Sequence, residues 1–361
     1  MSTTGRSDDV QKVTAMSRLE EITAEGVFII TEVGCNFEGD FGRAVEMVHA
    51  TADAGADAVK FQTFVAERLA SRSAEKFWEI EGCPGRTQLD EFRQMPSLSA
   101  DEYLRLKETA EKRGLVFFST PSDEGSADLL EEVGVEMYKI SSMDITHLPL
   151  LRHVARKGRP VIISTGASTV GEIDEALRVM ADEGNTDVAV LHCTSNYPTE
   201  DRNVNLRMIS HLKEVFPHVP VGYSDHTLPE DGEGIIASAV ALGARIIEKH
   251  FTFDNTRPGY DHEISVDYQG LTRLVRQVRR VEEALGEAFK RPVESEARAR
   301  LHARRSIVAA VSIPRGAVLT REMLAIKRPG TGIEPRFLDV VVGRTASTSI
   351  EEDAVITWEM L

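Results

Sequence analysis

The sequence predicts an α/β fold for this chain of 361 residues: eight parallel strands, each followed by a helix, closed into a (β/α)8 TIM barrel and followed by a small β-rich domain. Three observations carry that prediction. Short apolar β-rich runs alternate with amphipathic segments, glycines punctuate the junctions, and the alternation stops near Leu285. The runs are VFIITEVG (27–34), AVKFQT (58–63), LVFFST (115–120), MYKISS (137–142), PVIIST (160–165), VAVLHC (188–193), PVGYSD (220–225) and ARIIEKHF (244–251). Eight such units over about 260 residues fit a closed barrel better than an open doubly wound sheet.

Between the strands, residues 41–54 carry Val45, Val48 and Ala52 on one stripe, and residues 100–113 carry Tyr103, Leu104 and Leu106; residues 169–183 and 267–285 behave alike. Glycines close several of these segments, as at Gly55 and Gly134, where a left-handed C-cap costs little without a Cβ. Residues 64–99, with Trp78, Cys83, Pro84 and Pro96, are too long for an ordinary connection and read as an insertion over the barrel mouth, a surface elaboration or a lid. The chain divides into a polar, mobile extension (1–19), the barrel (20–285), a charged linker or boundary helix (286–305) and a small, loop-rich domain (306–361) of short strands and turns (SIVAAVSI, PRGAVLT, AVITW). The linker's basic cluster, Arg298, Arg300, Arg304 and Arg305, reads as a solvated or interdomain face.

Composition bounds the partners. The chain is 42% hydrophobic and carries a net charge of −16, which disfavours broad contact with nucleic acid or anionic lipid, so an anionic ligand needs locally placed cations. The longest apolar stretch, 235–244, falls far short of the roughly 20 residues that span a bilayer. With no apolar leader and only three cysteines (Cys35, Cys83, Cys193), none in a C-x-x-C spacing, a cytoplasmic protein is expected, without a thiolate metal site and with its cysteines in core or loops.

Barrel chemistry gathers where the strands end, and these strands end in groups that a core would reject. In order they are Glu32, Lys60 and Gln62, Thr120, Lys139 with Ser142 and Asp144, Ser164 and Thr165, His192 and Thr194, Ser224 with Asp225 and His226, then Glu248 and His250. Lys60 and Lys139 lie inside apolar strands, where an unpaired ammonium would cost several kcal/mol. Each needs an anion: an internal carboxylate (Glu32, Asp144 or Glu248), or a ligand's phosphate or carboxylate, to which the hydroxyls of Thr120, Ser142, Ser164 and Ser224 could donate. His226 and His250 end neighbouring strands and can approach one divalent metal ion that keeps open positions. Asp261 and His262, in RPGYDHE, add polar groups at the mouth or cap their loop. Nucleophile-elbow, Walker and dinucleotide motifs are absent from the sequence.

The strings ITEVGCNFEGD, VKFQT, FFSTP, YKISSMD, ISTGAS, LHCTSNYPT, GYSDHT, EKHFT, RPGYDH and IKRPGTGI, in this order, resemble the sialic acid synthase family from Val27 to Leu361. Members condense phosphoenolpyruvate with an N-acylated mannosamine-type sugar, giving a nine-carbon 2-keto-3-deoxy sugar acid and phosphate. The resemblance implies that Lys60, Thr120, Lys139, Ser142, Ser164 and Ser224 cradle phosphoenolpyruvate, that His226 and His250 hold Mn2+ or Mg2+, and that Glu32 is an acid/base or water-positioning residue. It implies sugar contacts at Gln62, Tyr197 and Asp261. It also makes the tail an antifreeze-like (SAF) domain reaching over the partner's site in a domain-swapped homodimer, with Arg328 meeting the sugar's acyl group. The chain departs from the family pattern at Ser195, where some bacterial members carry Asn, and at Asp144, where they carry Glu. Both positions lie near the sugar and bear on the acceptor. The rivals are a legionaminic acid synthase using a 2,4-diacetamido-trideoxy sugar, a metal-dependent aldolase, and an inactive sugar-binding barrel.

Overall fold

The computed structural model describes residues 16–76 and 85–361, with the backbone alone at 230–233. It falls into two compact units, divided between Gly286 and Glu287. In the first, α1 (Arg18–Glu25) precedes β1 (Phe28–Gly34), then α2 (Phe41–Ala54), β2 (Ala58–Thr63), α3 (Ala66–Leu69), α4 (Gln88–Phe92), α5 (Ala100–Lys112), β3 (Val116–Pro121) and α6 (Glu124–Val133). There follow β4 (Tyr138–Ile140), α7 (Leu148–Ala155), β5 (Val161–Ser164), α8 (Val170–Asp182), β6 (Val188–His192), α9 (Asp201–Val204), α10 (Arg207–Val215), β7 (Val221–Asp225), α11 (Pro229–Ala241), β8 (Ile246–His250) and α12 (Tyr268–Leu285). All eight predicted strands form. They pair in parallel in chain order, and β8 returns to β1, closing the barrel. Covered on both faces, such strands read as near-continuous apolar runs, and every residue of β1, β5, β6, β7 and β8 is buried.

Residues 17–19 depart from the expected extension. Ser17 caps α1 in a reciprocal box with Glu20, and Leu19 is fully buried, its amide donating to Asp187. The apolar Leu19 and the S-x-x-E box were the available signals. The insertion after β2 contains α3, α4 and a bridge between Glu75 and Thr87, and Pro96 approaches Gly39 of the β1–α2 loop. Trp78, Cys83, Pro84 and residues 1–15 lie outside the described residues.

The second unit contains α13 (Ala297–Ala303), β9 (Ser306–Ala309), β10 (Leu324–Lys327) and α14 (Leu338–Val341), with β9 and β10 antiparallel. Its own core includes Ile307, Ile313, Leu324 and Ile356. PRGAVLT turns at Pro-Arg-Gly and contributes a single bridge, Val318 to Thr345, and AVITW likewise contributes one, Val355 to Val308. Among the described residues no helix is long and apolar enough to cross a membrane.

Candidate active site

Register builds the site. Glu32 of β1 lies between Lys60 of β2 and His250 of β8, and Ser224 of β7 faces Glu248 of β8. Because side chains alternate along a strand, these positions point together into the barrel near its C-terminal mouth.

At the centre stand two lysines and two glutamates, all four buried. Lys60 pairs with Glu32 and donates to Thr120 Oγ1 at 3.0 Å; its Nζ is 3.9 Å from Glu248 Oε1. Lys139 donates to Ser164 Oγ at 2.6 Å and lies 3.6 Å from the same Glu248 oxygen. Ser224 donates to that oxygen too, at 3.1 Å, while Glu248 Oε2 has no hydrogen-bond partner. Of the three carboxylates anticipated for the lysines, Glu32 and Glu248 are in place and Asp144 is not, and the hydroxyls of Thr120, Ser164 and Ser224 join them. Glu248, in sequence one of three candidate counter-ions, is the hub that both lysines share.

Burial separates the four groups electrostatically. It raises the Glu32 carboxyl above its ordinary value, more than the adjacent Lys60 lowers it. Burial also raises Glu248, but Lys139 and Lys60 together outweigh it, and that carboxyl lies below the ordinary value. For Lys60, burial is overcome by Glu248 and Glu32, so it is firmly charged. For Lys139, burial wins and its ammonium gives up a proton more easily.

His226 and His250 meet beside this cluster, ring centroids 5.4 Å apart, with Tyr197 stacked on His226 at 4.3 Å. His226 Nδ1 donates to the Thr194 carbonyl at 2.9 Å, which leaves the Nε2 lone pair free. His250 Nδ1 lies 3.4 Å from Asp261 Oδ2 without a hydrogen bond. Burial pushes the His226 imidazole down to about 4 and that of His250 well below its usual value. Two neutral imidazoles, one already fixed by a carbonyl, form a donor pair that fits a divalent ion whose remaining positions go to water or substrate. Among the described residues no group of three or more His, Cys, Asp or Glu side chains is arranged to hold a metal by itself.

The remaining positions separate into neighbours and outliers. Gln62 donates to Glu32 Oε1 at 3.0 Å. Ser142 Oγ accepts from the Gly166 amide at 2.9 Å and touches Cys193 Sγ, which is buried as expected, at 3.1 Å. A Cβ at Gly166 would stand 2.2 Å from Ser195 Oγ, so Ser195 joins this corner. Asp144 accepts from Ser141 at 2.6 Å in a short helical turn and reaches neither lysine in an ion pair. Arg328 is exposed in the second unit. His192 bonds the Val204 carbonyl at 2.7 Å, and Asp225 points outward from the barrel.

A model of the NeuB family matches residues 47–290, and a SAF domain model matches residues 304–361. The chain is 40% identical over 337 residues to the N,N'-diacetyllegionaminic acid synthase of Legionella pneumophila, covering 92% of this chain and 94% of the other. It is 36% identical over 336 residues to the N-acetylneuraminate-9-phosphate synthase of Homo sapiens, covering 92% of each. The solved N-acetylneuraminic acid synthetase of Leptospira borgpetersenii, in complex with citrate, aligns with a TM-score of 0.68 and 36% identity, covering 76% of this chain and 90% of that one.

Proposed function

The chain belongs to the NeuB family, and from that premise we propose that it condenses phosphoenolpyruvate with N-acetylmannosamine or a related N-acylated mannosamine-type sugar, releasing phosphate. One observation carries this reading: Lys60 and Lys139 converge on a single Glu248 oxygen at 3.9 and 3.6 Å, beside two neutral histidines. Two ammonium groups at that spacing, each also bonded to a hydroxyl, suit a small ligand carrying phosphate and carboxylate.

In this reaction C3 of the enol phosphate bonds to the aldehyde carbon of the open-chain sugar, water adds at C2, and the C2–oxygen bond to phosphate breaks to leave the 2-keto group. Lys60, Lys139 and the hydroxyls of Thr120, Ser142, Ser164 and Ser224 hold the anionic substrate and the departing phosphate. Glu32, with its raised carboxyl value, takes the proton of the attacking water. Gln62, Tyr197 and Asp261 orient the sugar. His226 and His250 would hold a divalent ion, manganese or magnesium, which supplies Lewis-acid polarisation of the aldehyde when bound. In a domain-swapped homodimer, Arg328 of a second copy would meet the acyl group.

The test is phosphate release from phosphoenolpyruvate across a panel of amino sugars, with and without chelator. Release that depends on both sugar and metal is expected; free pyruvate in place of phosphate, or no release with any sugar, defeats the reading. The higher identity to the legionaminic acid synthase, 40% against 36%, favours a second acceptor. The 2,4-diacetamido-trideoxy arm of the panel decides between them.

A further inference from the structure

Behind the strands that carry the two histidines lies a charged network for which the reaction above has no use. Ser224 and Glu248 form a cross-strand pair facing into the barrel, so the next pair in register, Asp225 with Lys249, projects toward the helices. Outward barrel positions are ordinarily apolar, yet both of these side chains are 0% exposed. Lys249 Nζ donates to Asp225 Oδ2 at 2.6 Å and to the Thr227 carbonyl at 2.7 Å. Asp225 Oδ1 accepts from the Tyr223 hydroxyl at 2.7 Å, and the Thr227 hydroxyl donates to both carboxylate oxygens, at 2.9 and 3.0 Å. A single ammonium of β8 therefore grips both residues that flank His226, and it is itself the residue before His250.

Burying such a pair gains little stability over an apolar pair of equal size, whereas it defines one geometry. We propose that Asp225 and Lys249 are positioning residues: their buried ion pair locks the ends of β7 and β8 so that the imidazoles of His226 and His250 face one another. The proposal rests on the reading that these imidazoles hold a divalent ion.

The experiment compares full-length wild type with the double variant Asp225→Asn/Lys249→Met, which removes both charges and strands neither. Mn2+ alone is titrated by calorimetry, and the ring nitrogens of His226 and His250 are followed by NMR. At least tenfold weaker Mn2+ binding is expected, with shifted His226 and His250 signals and a lower kcat at nearly constant KM for phosphoenolpyruvate. Wild-type Mn2+ affinity and unmoved ring signals in the folded double variant would overturn the proposal. If the wild type binds no Mn2+, the metal reading fails by itself, and the ring signals alone decide the positioning role. If the double variant does not fold, Tyr223→Phe, which deletes one hydrogen bond to Asp225, must shift the His226 and His250 signals from their wild-type positions; no shift overturns the proposal.

Discussion

The two ends of the barrel treat charge in opposite ways. At the floor, Arg279 bonds both Asp57 oxygens at 2.7 Å and the Val27 carbonyl at 2.6 Å, while Asp57 also accepts from the Ile29 amide and Glu282 from the Val27 amide. Each of these three charges has short bonds to another charge or to the backbone. At the mouth, Glu248 is shared between two lysines at distances beyond a hydrogen bond, one of its oxygens is unpartnered, and so is His250 Nδ1. A saturated charge cluster holds the chain together, whereas an unsaturated one, held dry at some cost, is shaped for a visitor.

The largest effect that would sharpen this contrast is expected from Lys139→Ala. Phosphate-release assays should show kcat/KM for phosphoenolpyruvate falling about a thousandfold, with the melting temperature hardly lowered, since a costly buried ammonium is removed. A variant that unfolds while the surviving folded fraction keeps full turnover would break the comparison. Glu32→Gln follows, with turnover reduced about a hundredfold if it handles the water proton; unchanged turnover would remove that role. At the floor the outcome should invert. Arg279→Met is expected to lower stability by about 1–2 kcal/mol in urea titrations, a half-exposed pair being partly screened, with kcat within twofold of wild type.

A last effect concerns pH. Burial lowers the imidazoles of His192, His226, His250 and His262, those of His226 and His262 to about 4, with Arg257 adding to the last. A histidine depressed in the folded state is protonated first in the unfolded chain. Stability is therefore full above the ordinary value of 6.5 and declines as pH falls toward 4, by at most about 1.4 kcal/mol per pH unit for each ring. Urea midpoints at pH 7 and pH 5 should show the decline. Equal midpoints would mean the rings are not held neutral by the fold.

The barrel was legible because each strand, buried on both faces, leaves an apolar run that turn residues bracket, as PVIIST does between Gly158 and Gly166. The polar strand ends were legible for the same reason, since an ammonium inside AVKFQT must find an anion. What escaped depends on partners distant in sequence. Glu248 looked like a counter-ion until two lysines from other strands met on it. Cys193 and Ser142 touch only after β4 and β6 take their places on either side of β5. Asp225 and Lys249 were hidden because neither residue alone reveals that it faces the helices rather than the mouth. In the second unit, LAIK is too short to stand out, and β10 exists only because β9 pairs with it.

The cradle of Lys60, Lys139, Glu32 and Glu248 is electrically balanced before anything enters it. On the proposed reading, an incoming anion would be admitted by a change of partners, with Glu248 yielding the lysines it shares, rather than by neutralising bare positive charge. Because the exchange takes place out of contact with bulk electrolyte, ionic strength has little to screen, and affinity should hold nearly constant in salt that would strip the same anion from an open basic surface.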